Sequence, residues 1–363
     1  MIDLNRYGRQ IILPNFGIDA QQKLQQAKVL IVGMGALGCP ALQYLAGAGI
    51  GVIGIADGDD IQLHNLHRQP LFYTADINHN KAIVAAEKMR ALNPDIQLTV
   101  YPFYINNKNA LSILQTYDIV IDATDNFPTK YLLNDACALL KKPLVYGAVS
   151  RYEGQLSLFN YCQPNGRNIQ YRDLFPEPPH SDAILSCEEA GVLGVLPGVM
   201  GIMQATEAIK VIAGLGRLLD GVLLTYHALS AKFYEMEISK NPAVQTMNKA
   251  EFENIDYDWL CNSNSITPSL SVEEFKHLQQ LKQLFIIDIR EHNEIPIIDF
   301  ADVHIPYSTI LSANHLPQFP NVKNICVICQ RGIRSKAAAA IIQQQAKQKV
   351  YHLMGGLSAY FNQ

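Results

Sequence analysis

The chain has 363 residues, enough for two ordinary domains, and 48% of them are hydrophobic against 17% charged. Its formal net charge is −4 with no basic block, which argues against nucleic acid as a main partner. The most apolar stretch, 192–213, is interrupted by Glu207 and Lys210, and the N-terminal MIDLNRYGRQ has no signal-peptide apolar core, so the expectation is a cytoplasmic protein with no membrane partner. Seven scattered cysteines fit a reducing compartment with a few working thiols better than a disulfide framework.

Residues Arg6-Tyr7-Gly8-Arg9-Gln10 precede a short helix expected after Asp19, a good N-cap. Arg6 and Arg9 share a face if their segment is helical; taken alone they read as solvated surface. Lys28 to Asp60 reads as a βαβ unit. Val29 to Val32 is a short apolar run suited to a strand buried on both faces. Gly33-Met34-Gly35-Ala36-Leu37-Gly38 is a G-x-G-x-x-G turn opening a helix that reaches about Gly47, and Gly51 to Ala56 is a second strand ending at Asp57. Glycines here let the backbone turn tightly and let phosphate approach a helix N-terminus, while Asp57 is placed to accept ribose hydroxyls. A glycine turn also serves simply to pack a helix on a strand, and the motif does not choose between ATP and NAD.

Asp59-Asp60 and His64-Asn65-Leu66-His67-Arg68-Gln69 follow. Lys81 opens a helix to Leu92, closed by Asn93-Pro94, and a strand is expected at Ile96 to Tyr101. Another strand, Asp118 to Ala123, runs into Thr124-Asp125-Asn126, followed by a helix to about Leu140 and a strand from Pro143 to Ala148. Alternating strands and helices predict an α/β fold: a mostly parallel, Rossmann-like sheet with ligands at the strands' carboxyl ends.

R-Y-x-R-Q, the glycine turn, D-G-D, N-L-x-R-Q, a lysine at a helix start and T-D-N together resemble the ThiF/MoeB/HesA family of ubiquitin-activating-type adenylyltransferases. The resemblance runs from about Arg6 to Pro242 and takes in Arg151-Tyr152-Glu153-Gly154-Gln155 and Cys187-Glu188-Glu189-Ala190-Gly191-Val192. It implies an adenylation domain over 1–242 that brings ATP against the C-terminal carboxylate of a small ubiquitin-like protein. Cations must then neutralise the phosphates and a carboxylate must hold Mg2+. By resemblance, Gly33, Gly35 and Gly38 form the nucleotide turn, Asp57 meets the ribose, and Asn65, Arg68 and Lys81 meet the polyphosphate. Asp125 is the Mg2+ ligand, and Arg9 reaches the γ-phosphate from the other subunit of a homodimer.

Residues 160–186, rich in proline and polar groups, read as a crossover loop over the adenylate. Cys187 ends it and is as readily a buried thiol as a catalytic one. A helix from about Pro197 to Ala213 carries Val199, Ile202, Met203, Ile209 and Ile212, which are expected to form a buried or dimer-facing stripe. The family commonly holds a structural zinc on two C-x-x-C pairs, which align with Gln170-Tyr171-Arg172-Asp173 and Val244-Gln245-Thr246-Met247. No cysteine remains in either, so no zinc is expected.

A polar linker is expected over 243–266. Ser271-Val272-Glu273-Glu274 is a capping box; Leu284 to Ile289 and Ile325 to Ile328 read as buried strands; an alanine-rich helix reaches about Gln345. The C-terminal region, 267–363, resembles a rhodanese sulfurtransferase domain, a smaller α/β fold. The carriers of the resemblance are Asp288-Ile289-Arg290-Glu291, His304-Ile305-Pro306, Cys329-Gln330-Arg331-Gly332-Ile333-Arg334-Ser335 and the pair Gly355-Gly356. Cys329, between a strand end and a helix N-terminus with Arg331 and Arg334 beside it, is placed to carry sulfur as a thiolate or persulfide, and Gly332 lets the loop wrap closely. Cys326 also makes a C-x-x-C with Cys329, which invites a thioredoxin-like reading, but Cys326 falls inside the strand.

The two halves imply one function. The first adenylates the terminal carboxylate of a sulfur carrier of molybdopterin-synthase small-subunit or thiamine-pathway type, and Cys329, loaded by a persulfide sulfur donor, delivers sulfur to form a thiocarboxylate. The alternatives are an NAD-dependent oxidoreductase using the same glycine turn, and a non-catalytic scaffold that recruits a partner.

Overall fold

Asp3 caps the first helix, α1 (Leu4–Ile11), accepting from the N–H groups of Asn5 at 2.8 Å and Arg6 at 3.3 Å. The arginine segment is therefore itself helical. The next helix, α2 (Gly17–Gln26), starts ahead of Asp19, which lies in its first turn instead of capping it; Gly17, at φ +65°, makes the entry. The computed structural model describes residues 2–163, 166, 168–177, 191–257, 268–292, 294–312, 324–346 and 348–361. These form two compact units, the first ending at residue 257 and the second starting at 268.

In the first unit, β1 (Lys28–Val32), α3 (Gly38–Ala48), β2 (Val52–Ala56), α4 (Lys81–Leu92), β3 (Gln97–Tyr101), α5 (Ala110–Leu114), β4 (Ile119–Asp122), α6 (Phe127–Leu140) and β5 (Leu144–Ser150) alternate as expected. They form a parallel sheet in the order β3-β2-β1-β4-β5. Val29, Leu30 and Ile31 of β1 are wholly buried between the helical layers. The sheet then continues antiparallel through β6 (Glu153–Phe159), β7 (Val222–His227) and β8 (Lys232–Glu237). Every residue of β8 is exposed, so it carries no alternation by which its sequence could be read as a strand.

Among the described residues, two helices lie between β6 and β7: short α7 (Tyr171–Leu174) and the 19-residue α8 (Val195–Ala213), which Gly214 ends at φ +72°. By length and composition alone α8 could cross a bilayer. Here it is a core element: Leu196, Met200, Gln204, Ala205 and Ala208 are buried, and a Cβ on Gly201 would stand 2.2 Å from Leu37 O of the α3 entry. Of the expected apolar stripe, Val199 and Ile202 retain 38% and 36% exposure, whereas Met203, Ile209 and Ile212 are partly buried against the core.

The expected linker is structured in its first part. Helix α9 (Lys249–Asn254) buries Phe252, and Tyr257 is buried after it; residues 258–267 lie outside the description. This segment, with Lys240 and Asn241 just before it, is tied to α6 and α7 by two buried carboxylates. Asp173 accepts from Lys240 Nζ at 2.9 Å, Asn241 N–H at 3.0 Å and Gln170 N–H at 2.8 Å. Asp135 accepts a two-pronged bond from Arg172, 2.7 Å on each prong, and one from Tyr257 Oη at 2.9 Å. Tyr257 Oη also lies 3.9 Å from Met247 Sδ. The positions aligned with the family's zinc pairs therefore do not fit the metal: the Asp173 oxygens are already bonded, Val244 has no donor atom, and thioether and amide groups are poor zinc ligands.

The second unit is a parallel sheet in the order β11-β10-β12-β13-β9, from β9 (Ser269–Leu270), β10 (Leu284–Asp288), β11 (Val303–His304), β12 (Asn324–Ile328) and β13 (Lys349–Leu353). Its helices are α10 (Val272–Gln280), capped by the Ser271–Glu274 box, α11 (Tyr307–Ser312), α12 (Ile333–Gln345) and α13 (Gly356–Phe361). Cores lie on both sheet faces.

Asp173→Ala removes the acceptor of three hydrogen bonds. We expect a loss of about 2–4 kcal/mol in urea unfolding of the first unit, and no change in the parent's stability on adding a zinc chelator.

Candidate active sites

At the first site the glycines are forced by contact. A Cβ on Gly38 would lie 2.0 Å from Gly33 O, and one on Gly33, at φ +93°, would lie 2.7 Å from Ala123 O. Gly35 is open, with only Gln69 nearby. The turn thus draws the N-terminus of α3 down onto the ends of β1 and β4, with Cys39 N–H bonded to Gly35 O and Ala41 N–H to Leu37 O. Asp57, at the end of β2, braces the turn: it accepts from Met34 N–H at 2.6 Å and Asp59 N–H at 2.8 Å. Burial raises its carboxyl above the usual aspartate range, against the pull of Lys81 and these bonds.

Lys81, buried at the start of α4, ion-pairs with Asp59 at 2.8 Å, and Tyr104 Oη donates a short bond to the same carboxylate. Burial alone would raise the Asp59 carboxyl; bonds from Lys81 and Tyr104 overcome that and hold it low. The Tyr104 phenol is pushed up to about 12, chiefly by its bond to Asp59. Its ring packs on Gly58, where a Cβ would come within 2.8 Å. Asn65 is buried with its side chain bonded to Gln62 N–H, and Arg68 donates to His64 O at 2.8 Å. Asp125 stands exposed past β4, and among the described residues no hydrogen bond or ion pair engages its side chain. Below it, Asp122 accepts from Thr124 N–H and Oγ1 and pairs with buried Lys130 at 3.2 Å.

Arg9 stands apart. Its helix docks on the far end of α3: Gln10 Nε2 donates to Ala48 O at 2.9 Å, and Asn93 bridges Tyr7 Oη and Ala46 O. The 11 residues of α3 put about 16 Å between that end and the glycine turn of the same chain. Sequence reading missed Tyr104, Asp59 and the Asp122–Lys130 pair. D-G-D is a visible signal for Asp59, whereas Lys130 and Tyr104 join the site through distant pairings that no local motif announces. Cys187 lies outside the described residues.

In the second unit, Cys329 follows β12 and is 1% exposed. Its Sγ accepts from Gly332 N–H at 3.2 Å and Ser335 N–H at 3.3 Å, with Ser335 Oγ at 3.4 Å. Gly332, at φ +86°, and Gly356, whose Cβ would meet Cys329 O at 2.4 Å, let the loop close around the sulfur. Cys326 packs with Phe275, Ile286 and Leu353, whereas Cys329 belongs to the core on the other face, and burial pushes the Cys326 thiol up. That separation removes the thioredoxin-like reading. Arg331 is exposed. Arg334, expected to add positive charge, is neutralised by Glu294 in a two-pronged pair. The groups that converge on the sulfur are therefore N–H donors and a helix N-terminus.

These features define a nucleotide-binding activating domain joined to a sulfur-transfer domain. The ThiF family profile matches residues 7–246 and the rhodanese-like domain profile matches 271–363. The chain belongs to the ThiF family and ends in a rhodanese-like domain; it is an ATP-using adenylyltransferase and a sulfurtransferase in one polypeptide. It is 37% identical over 374 residues to the probable adenylyltransferase/sulfurtransferase MoeZ of Mycobacterium tuberculosis, covering 99% of this chain and 93% of that protein. It is 38% identical over 379 residues to the adenylyltransferase and sulfurtransferase MOCS3 of Drosophila ananassae, covering 99% and 83%. The first unit is 46% identical over 262 residues to the sulfur carrier protein adenylyltransferase of Thermus thermophilus, covering 71% of this chain and 97% of that one. Among solved structures, E. coli MccB with AMPCPP and MccA shares the fold at a TM-score of 0.58 and 23% identity, over 68% of this chain and 75% of that one.

Because the folded Asp59 carboxyl is held low, its pair with Lys81 stabilises the protein above the ordinary aspartate range and is lost as pH falls through the folded value. Asp59→Asn should therefore reduce stability at pH 7 and make a shrinking difference below about pH 4, read by urea titration at each pH.

Proposed function

We propose that the first unit adenylates the C-terminal carboxylate of a small ubiquitin-like sulfur carrier and that Cys329 supplies the sulfur converting it to a thiocarboxylate. One observation carries this reading: a single chain holds both a glycine turn braced by Asp57 and a cysteine cradled by N–H donors. A carrier carboxylate oxygen attacks the α-phosphorus of ATP, and the bond to pyrophosphate breaks. The terminal sulfur of a Cys329 persulfide, loaded by a persulfide donor, then attacks the acyl carbon and AMP leaves. A thiol must cleave the resulting acyl disulfide to release the thiocarboxylate. The carrier is of molybdopterin-synthase small-subunit or thiamine-pathway type. Joining the two sites in one chain raises the effective concentration of one at the other.

In this reading Lys81 and Arg68 take the polyphosphate, with Asn65 beside them, and Asp57 takes the ribose. Asp125, exposed and uncommitted to any described partner, holds Mg2+, which when bound offsets phosphate charge. Arg9 serves the partner's site in a homodimer, since its place at the far end of α3 keeps it from its own. A groove of about 410 Å3 beside Gln10, lined by Tyr44, Leu92, Ile202 and Ile209, supports an interface on that side. No zinc is used, in keeping with the donor chemistry around Asp173. The protein is cytoplasmic.

Carrier-dependent ATP–pyrophosphate exchange tests the first half. Asp125→Ala should lower it at least 100-fold, and exchange left intact would refute the assigned site. Cys329→Ser should leave exchange intact and abolish thiocarboxylate formation, read by carrier mass. Arg9→Ala and Asp125→Ala chains, each inactive, should regain about a quarter of exchange activity when co-folded, because half the dimers are mixed and each mixed dimer has one whole site.

A further inference from the structure

The last arginine of the sulfur loop is held by a carboxylate. Arg334 Nη1 and Nη2 donate to Glu294 Oε1 and Oε2 at 2.6 Å each, the fork geometry in which guanidinium and carboxylate bind most strongly. The pair is partly covered, with side chains 17% and 26% exposed. The bond from Arg334 holds the Glu294 carboxyl below its usual range, against the effect of burial. Glu294 is also braced from its own side. Its Oε1 accepts from Glu291 N–H at 2.8 Å, its N–H bonds Glu291 O at 3.0 Å, and Glu291 is fixed by Ser308 N–H and Oγ at 3.1 Å each. Beyond it, Arg290 is locked by Asp288 at the end of β10 and donates to Pro296 O at 2.7 Å. A negative charge is thus built onto a fixed turn beside the loop that holds Cys329.

We propose that Glu294 sets the charge class of the sulfur donor: by neutralising Arg334 it disfavours small dianionic donors such as thiosulfate and leaves Cys329 to donors of lower charge, such as a protein-borne persulfide. The inference rests on Cys329 being the sulfur acceptor. With thiosulfate, the Cys329 thiolate attacks the sulfane sulfur, a new S–S bond forms, the bond to the sulfonate breaks, and sulfite leaves with the electron pair and two negative charges. With a persulfide, the same attack expels a thiolate with one. An unpaired guanidinium would grip the sulfonate oxygens two at a time and offset that extra charge. Glu294 occupies those N–H groups and adds a repulsive charge beside the sulfur loop.

The test uses the full chain and cyanide as sulfur acceptor, comparing thiosulfate, a dianion, with benzenethiosulfonate, a monoanion carrying the same kind of sulfane sulfur. Glu294→Gln keeps the shape and removes the charge. The ratio of kcat/KM for thiosulfate to that for benzenethiosulfonate should rise about five-fold, and the rise should shrink with added salt. Glu294→Asp, which keeps the charge, should hold the ratio near the parent's. The ratio is internal to each preparation, so a smaller folded fraction does not move it. A ratio unchanged or lowered in Glu294→Gln, or raised equally in Glu294→Asp, overturns the role of Glu294 alone. Absence of transfer from either donor in the parent would overturn the reading of Cys329, and this inference with it.

Discussion

Gly38 rests against the carbonyl of Gly33 with no room for a side-chain carbon between them, and the first unit is arranged around that contact. It fixes where α3 begins, brings the Met34 N–H to Asp57, and leaves the helix N-terminus open at the edge of the sheet. The second unit repeats the device with other residues. Gly356 closes on the backbone of Cys329 and Gly332 on that of Leu353 and Gly355, and the start of α12 is thereby aimed at the sulfur. In both units close glycine contacts turn an ordinary strand-to-helix junction into a place where negative charge can rest.

The two junctions differ in how they meet that charge. Around the nucleotide turn the structure places side-chain ions in balanced sets, with Lys81 against Asp59 and Lys130 against Asp122. Such pairs keep cations ordered near the sheet edge without leaving them as uncompensated buried charge. Around Cys329 the donors are backbone N–H groups, and the Ser335 hydroxyl oxygen accepts from the thiol. A triphosphate is large and multiply charged and suits several cationic side chains, whereas one sulfur atom is well matched by a few fixed dipoles.

Much of this was legible in the sequence. The βαβ unit, the parallel strands, the Ser271 box and the sulfur loop follow from strong local signals: β-branched runs, glycines at fixed spacing and acids at strand ends. What escaped was set by tertiary contact. Strand β8 exposes all its residues, so its place in the sheet depends on pairing with β7 alone. Helix α8 is apolar on more than one side, so composition could not tell its buried face from its outer one. The segment expected as a linker is anchored where it looks polar, through the Tyr257 hydroxyl on Asp135, with Lys240 and Asn241 bonded to Asp173 just before it. Arg334 reads as free positive charge until Glu294, 40 residues earlier, is folded against it.

The carboxylate ties at Asp173 and Asp135 bear on how this protein would fare in a stressed cell. A knot of thiolates around a metal opens when its sulfurs are oxidised or the metal is scarce. Lysine, arginine, tyrosine and peptide N–H groups bound to two aspartates offer peroxide far less to attack. An enzyme whose chemistry already exposes it to reactive sulfur thus keeps its scaffold out of the redox economy.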